Sequence, residues 1–168
     1  MLPVRKLFPA AAKHPNKSGG FLLAEILACS LLLLITAGSL CMGGNAYLRY
    51  YHKSQVRQAA HMLAADIRLL QQQSMFGDGI FSRQLKFMAD KSGYGFYINR
   101  RLSRKVFFEM AGCGGVYLDN GMAYVQYSDG GSPSLTGRIV LRHRNLAAYS
   151  CVLEIQPVTG RVLFNEGE

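Results

Sequence analysis

One acidic residue, Glu25, lies alone in a long apolar segment. From Phe21 to Met42 it is the single charged residue among 22 positions. A carboxylate inside hydrocarbon is costly unless it is neutralised or paired. We therefore expect Glu25 to meet a positive group. The alternative is that Glu25 lies near the membrane surface and reaches water.

Basic residues alternate along a segment near the C-terminus. In an extended strand Arg138, Arg142 and Arg144 would share one face, while Ile139 and Leu141 would point into a core. Arginine suits bidentate contact with phosphate, so this face is a candidate DNA contact. A second basic cluster, expected between two strands, could extend it: Arg100, Arg101, Arg104 and Lys105. The alternative is a solvated face, because residues 78–168 hold 11 basic against 8 acidic residues.

Catalytic motifs are absent from the sequence. None of the four histidines has metal-ligand spacing to a cysteine or another histidine, and no nucleophile elbow, phosphate loop or paired-carboxylate motif occurs. With 49% apolar and 17% charged residues, the composition excludes a wholly disordered chain and a collagen-like repeat. We expect no enzyme, no metal and no cofactor.

The apolar segment itself predicts a membrane-spanning helix. Its 22 residues rise about 33 Å as a helix, enough to cross a hydrocarbon core of about 30 Å. Four basic residues precede it with no acidic residue among them: Arg5, Lys6, Lys13 and Lys17. This asymmetry favours a cytoplasmic N-terminus. We expect a single-pass protein of the cell (inner) membrane with an exported C-terminal domain.

The residues around Gly20 resemble a known processing site. Small residues precede the apolar core here, whereas an ordinary secretory signal places them after it. The segment 17–25 (KSGGFLLAE) resembles the cleavage site of type IV prepilins and pseudopilins. The resemblance implies that prepilin peptidase removes residues 1–20 as a leader, that Phe21 is then N-methylated, and that Glu25 acts in assembly. The leucine-rich stretch 31–34 departs from the family, which has more β-branched residues there.

A lipoprotein signal is the rival interpretation of this segment. Residues 26–29 (ILAC) loosely resemble a lipobox. The apolar stretch continues well past Cys29, however, and Glu25 would interrupt the core of such a signal. We interpret Cys29 and Cys41 as small apolar residues of a membrane helix.

Beyond the span, residues 43–79 predict an amphipathic continuation of the same helix. Gly43-Gly44-Asn45 predicts a bend or local melting. The helix should end near Gly77-Asp78-Gly79. An aromatic and basic cluster would lie where the helix leaves the bilayer: Tyr47, Arg49, Tyr50, Tyr51, His52 and Lys53. One helical stripe should pack on the rest of the domain: Val56, Ala60, Leu63, Ile67, Leu70 and Ser74.

Residues 80–168 predict short strands between turns. The expected strands are 84–89, 95–100, 105–110, 116–118, 123–127, 138–143, 150–156 and 161–164. The fold class is therefore α+β, a long N-terminal helix packed on an antiparallel β-sandwich-like domain. The order of elements, with the strings 137–141 (GRIVL) and 159–162 (TGRV), looks like the H-type minor pseudopilins.

Two cysteines, Cys113 and Cys151, belong to the exported part. An oxidising compartment permits a disulfide between them, which would restrict the unfolded chain. The alternative is a pair of unlinked, buried thiols.

Together these patterns predict a structural function. We expect a minor pilin or pseudopilin whose filament serves protein secretion, DNA uptake or pilus biogenesis. Its partners would be prepilin peptidase, other pilin or pseudopilin subunits, the membrane and, since some minor pilins of this group are DNA receptors, DNA. The contrasting hypothesis is a single-pass anchor whose exported β-domain binds a ligand without polymerising.

Overall fold

The structure is a computed structural model that describes residues 19–77, 82–119 and 122–167. One long helix precedes eight strands, which confirms the α+β class. The helix α1 spans Gly19–Met75. The strands are β1 (Arg83–Phe87), β2 (Gly93–Ile98), β3 (Arg101–Phe107), β4 (Val116–Leu118), β5 (Tyr124–Gln126), β6 (Gly137–His143), β7 (Leu146–Ile155) and β8 (Val162–Gly167).

The chain forms two compact units, Met1–Gly44 and Asn45–Glu168. The first unit, as far as it is described, is the beginning of α1. Every side chain from Leu22 to Gly44 is exposed, including the leucines at 31–34. The helix is long and apolar enough to cross a membrane, with a mean hydropathy of 2.2 over its most apolar window. Most of the expected leader lies outside the described residues.

The expected local melting at Gly43-Gly44 does not occur: α1 is helical through both glycines. Two adjacent glycines cost about 1 kcal/mol each relative to alanine. Helix formation is cooperative, so long helical stretches on both sides hold such a short weak segment in place. A Cβ at either glycine would meet no other atom within 4 Å, so close packing does not require glycine here.

In the second unit, α1 buries the predicted stripe. The six stripe residues, from Val56 to Ser74, are all buried, and five of them are at most 1% exposed. Ala59 and Ala64 widen this face. Because alanine is short, strands can pack closely against this part of the helix. The helix ends at Met75, two residues before the predicted stop at Gly77.

One four-stranded sheet has the order β3-β2-β1-β5. The predicted hairpin between the first two strands is confirmed, with Leu85 opposite Phe96. The third strand starts at Arg101 rather than at residue 105. Asn99 and Arg100 both have positive φ, 49° and 66°. Two consecutive residues of this kind form the tight hairpin turn whose twist matches that of the two strands it joins. The second basic cluster therefore lies in this turn and on β3, not in a loop between strands.

The other sheet has the order β4-β6-β7-β8 and is also antiparallel. Ile139 pairs with Leu153, and Leu141 pairs with Cys151, so one face of both strands points into the core. Turn residues at 157–159 reverse the chain before the last strand, as predicted, and Gly160 takes a positive φ of 64° there. The expected turn at Asn120-Gly121 lies outside the described residues.

We expect Leu63→Ala to destabilise the second unit by about 2–5 kcal/mol, because it opens a cavity in a fully buried helix face. Leu69→Ala, on an exposed part of the same helix, should cost about 0.5 kcal/mol or less. Denaturant unfolding of the full chain in neutral detergent, followed by tyrosine near-UV circular dichroism, measures both. Equal effects would show that this helix face does not form the core.

Candidate functional site

The predicted processing site lies at the beginning of α1. The backbone of Gly19, Gly20 and Phe21 is helical, and Lys17 and Ser18 lie outside the described residues. Glu25 follows Phe21 by four residues, so the two positions occupy one face of the helix. The structure thus places the predicted cleavage position and the acidic residue one helical turn apart.

Glu25 differs from the other polar residues of the apolar segment. Ser30 and Thr36 each donate a hydroxyl hydrogen bond to a carbonyl of the preceding turn, at 2.8 and 3.0 Å, and Ser39 does the same. These hydroxyls are satisfied within the helix and place no demand on their surroundings. Glu25 is exposed and takes part in none of the ion pairs among the described residues. It is therefore the side chain in this segment that needs an external partner.

In the second unit, α1 is fixed to the first sheet by a partly buried polar contact. Tyr94 donates a 2.7 Å hydrogen bond to Asp66 Oδ2, and Arg104 Nη2 reaches the same oxygen at 2.8 Å. Burial and the bond to Asp66 raise the pKa of Tyr94 well above its usual range. Arg104 also lies over the ring of Phe96. Arg104 thus fixes the helix to β3 and is already paired.

A second polar contact joins α1 to the other sheet. Arg57 pairs with Glu166 of β8 and donates to the hydroxyl of Tyr149. Tyr149 in turn donates to Glu166, at 3.1 Å. The hydrogen bond from Arg57 holds the pKa of Glu166 below its ordinary value. The helix is therefore bonded to both sheets by side chains on different faces.

The arginines of the predicted DNA face are only partly brought together. Arg138 and Arg142 share the outer face of β6, as predicted, but the strand ends at His143 and Arg144 lies in the following turn. Arg138 pairs with Glu154 across the sheet, Nε to Oε1 at 3.4 Å, and Arg142 Nε lies 3.3 Å from a carboxylate oxygen of Asp119. A DNA phosphate would have to displace these carboxylates. DNA contact stays a prediction.

The structure holds Cys113 and Cys151 as free, buried thiols. Cys151 donates to the hydroxyl of Tyr149, and Cys113 lies 3.8 Å from the carbonyl of Ala111. Burial raises the pKa of both thiols. Their buried positions match the alternative of unlinked thiols. A disulfide between them stays a prediction.

Sequence reasoning missed a pair of stacked histidines. His52 of α1 stacks on His143 of β6 with ring centroids 4.0 Å apart. The backbone N–H of Asn145 donates to His143 Nδ1, so Nε2 carries the proton and donates to the carbonyl of Gly114. Burial and the neighbouring imidazole lower the pKa of His143. No pattern in the sequence links two histidines 91 positions apart.

Among residues 19–77, 82–119 and 122–167, no group of three His, Cys, Asp or Glu side chains could hold a metal ion. The histidine pair therefore has no additional ligand, and its contacts tie α1 to the turn after β6. Comparison with protein-family models, with curated proteins and with solved structures finds no match for this chain.

We expect the protein to lose stability as the pH falls from 7 to 5. The folded state keeps His143 neutral, so below the ordinary histidine pKa of about 6.5 the unfolded chain binds a proton that the folded chain does not. The free energy of unfolding should fall by less than about 1.4 kcal/mol per pH unit, and it should stop falling below the lowered pKa of His143. Denaturant unfolding of the full chain at each pH measures it.

His52→Gln should flatten this pH dependence in part, because burial, the larger cause of the lowered pKa of His143, remains while the imidazole that disfavours its charged form is removed. His61→Gln is the matched control. Its ring stacks on Phe164, away from His143, and the variant should keep the wild-type slope. Glu166 and Asp90 have lowered pKa values and act only at more acidic pH. An identical slope in His52→Gln and wild type would contradict the assignment.

Proposed function

We propose that this protein is a minor subunit of a type IV pilus-like filament, a minor pilin or pseudopilin made as a prepilin. The observation that carries the proposal is the segment 17–25, KSGGFLLAE, directly in front of a long apolar helix. Prepilin peptidase would cut between Gly20 and Phe21, and the new N-terminus would be methylated. The helix would stay on the mature subunit.

The exposure of the helix supports this function. No described residue of the chain covers the side chains from Leu22 to Leu40, so another apolar surrounding must do so. Lipid can cover them in the membrane, and the same helices of neighbouring subunits can cover them in a filament. Because both surroundings are apolar, a subunit can pass from one to the other without exposing this surface to water.

Glu25 gives the filament a means to set its register. Cleavage after Gly20 creates a positive α-amino group on Phe21. In a bundle of such helices, the carboxylate of one subunit pairs with the α-amino group of the next, which neutralises two charges that are each costly in an apolar surrounding. A shift along the helix axis would separate them. The pairing therefore favours one axial offset between subunits.

The proposed topology follows the charge distribution of the chain. Basic residues precede the apolar segment, so the N-terminus is cytoplasmic and the domain from residue 45 onward is exported. The partners are prepilin peptidase, the other subunits and the membrane. The filament acts in protein secretion, DNA uptake or pilus biogenesis. The rival, an anchored β-domain that binds a ligand without polymerising, differs in one early step, because it needs no cleavage at Gly20.

We expect mass spectrometry of the purified protein to find a mature N-terminus at methylated Phe21. Gly20→Leu should abolish this product when the peptidase is present, since a bulky side chain blocks its approach to the backbone. Gly43→Leu is the matched control, because a Cβ there meets no other atom of this chain and the site lies far from the cut. An intact Met1 in the wild type, or a lipid on Cys29, would refute the proposal.

Glu25→Ala should leave membrane insertion intact or improve it, because it removes a costly carboxylate from the apolar segment. It should strongly reduce recovery of the subunit in sheared filaments, since the neighbouring α-amino group loses its counter-charge. Ser30→Ala, whose hydroxyl bonds only within its own helix, should be recovered like wild type. Immunoblots of membrane and filament fractions measure both. Equal recovery of Glu25→Ala and wild type would dispose of the register function.

A further inference from the structure

An open cleft of about 480 Å³ lies beside the first turns of α1 in the second unit. One of its walls is basic, because Arg49 and Lys53 of the helix line it one turn apart. The other wall comes from the beginning of β7 and the turn before it. The residues of that wall are Asn145, Leu146, Ala148 and Tyr149. The cleft thus combines cationic, polar and small apolar groups.

The ammonium group of Lys53, which lines the cleft, is held in place. Lys53 Nζ lies 5.0 Å from the centroid of the Tyr149 ring, a cation–π contact. The hydroxyl of Tyr149 is fixed in turn by Arg57 and Glu166. The Lys53 ammonium therefore points along a rigid aromatic face and does not extend freely into solvent.

The basic groups of the cleft lack internal counter-charges. In the part of the chain that the structure describes, no ion pair includes Arg49 or Lys53. Arg144, in the turn that leads to β7, is exposed and takes part in none of these pairs either. Glu166, the carboxylate bonded to Tyr149, is already paired with Arg57. Arg49 and Lys53, which line the cleft, and Arg144, which precedes its residue Asn145 in the chain, are thus available to an external anion.

The position of Arg49 along the chain indicates which kind of anion lies near the cleft. Arg49 follows Met42 by seven residues, a rise of about 10 Å in a helix, and its long side chain can reach back. Tyrosine favours the membrane–water interface, and three tyrosines near Arg49 are exposed: Tyr47, Tyr50 and Tyr51. At this depth the abundant anion is the phosphate of a phospholipid.

We propose that this cleft binds the headgroup phosphate of an anionic phospholipid. Arg49 and Lys53 contact the phosphate, Arg144 adds attraction from the rim, and Leu146 and Ala148 face the glycerol and upper acyl region. The proposal rests on the membrane anchor of the proposed function, but on neither cleavage nor polymerisation. Such a contact holds the exported domain against the membrane surface before the subunit enters a filament.

The test uses the full chain in neutral maltoside micelles, titrated with phosphatidylglycerol or with phosphatidylcholine. Native mass spectrometry counts the lipids that each chain retains. We expect preference for phosphatidylglycerol, and a loss of about 25-fold in its affinity in the double variant Arg49→Gln with Lys53→Gln, about fivefold for each charge. The matched control, Lys86→Gln with Arg161→Gln, removes the same charge elsewhere in the second unit and should stay within about twofold of wild type.

Three results would overturn the proposal. Equal loss in both double variants indicates attraction to overall charge only, and unchanged binding in the cleft variant shows that the lipid lies elsewhere. Displacement of the lipid by equimolar inorganic phosphate would define a small-anion site. The Gly20→Leu variant, which should not be cleaved, should bind phosphatidylglycerol like wild type. Failure of the processing hypothesis therefore leaves the expected binding of phosphatidylglycerol unchanged. Tyrosine near-UV circular dichroism verifies that every variant is folded.

Discussion

The second half of α1 has to be buried by two sheets at once, and the rest of the second unit depends on this requirement. Its face from Val56 to Leu70 is nearly inaccessible to solvent. The inward residues of the sheets, among them Leu85, Ile139 and Leu153, are buried to the same degree. An isolated sheet of four short strands gains little by itself, so helix and sheets form one cooperative core.

Polar side chains fix how the helix sits in this core. Gln55 donates to the carbonyl of Gly112 near one end, and Gln71 donates to the carbonyls of Gly131 and Thr159 near the other. Between them, Asp66 bonds to one sheet and Arg57 to the other. Apolar packing alone permits a helix to slide or rotate, but these directional hydrogen bonds form only when the helix is in one position. The loops at both ends of the domain are tied to the same helix.

The sequence predicted the parts of this structure that depend on local periodicity. The helical stripe, the hairpin of β1 and β2 and most strand positions follow from residue spacing within a few turns. The β3 boundary was wrong because Asn99 and Arg100 adopt positive φ without glycine. The contacts of Asp66 with Tyr94, and of His52 with His143, join residues far apart in sequence, so no local pattern reveals them. The uninterrupted helix at Gly43-Gly44 depends on cooperativity, which residue propensity does not capture.

The predicted processing segment is the opposite case, because the argument for it lies in the sequence and little of it in the fold. Gly20 and Phe21 lie in the first turn of a helix, and their geometry there is that of any helix beginning. Recognition by a peptidase depends on residue identity in a segment that the enzyme must approach directly. Glu25 connects the two levels, since its isolation in an apolar, exposed helix is visible in both.

The basic residues of β3 have a consequence for solubility. This strand lies at the edge of its sheet, pairs with β2 on one side, and exposes every residue from Arg101 to Lys105. An open edge of this length can pair with the edge of another molecule and begin aggregation. Two copies of this edge would bring Arg101, Arg104 and Lys105 of each chain together, and like charges oppose that approach. Like charges on this edge thereby oppose edge-to-edge self-association of the second unit.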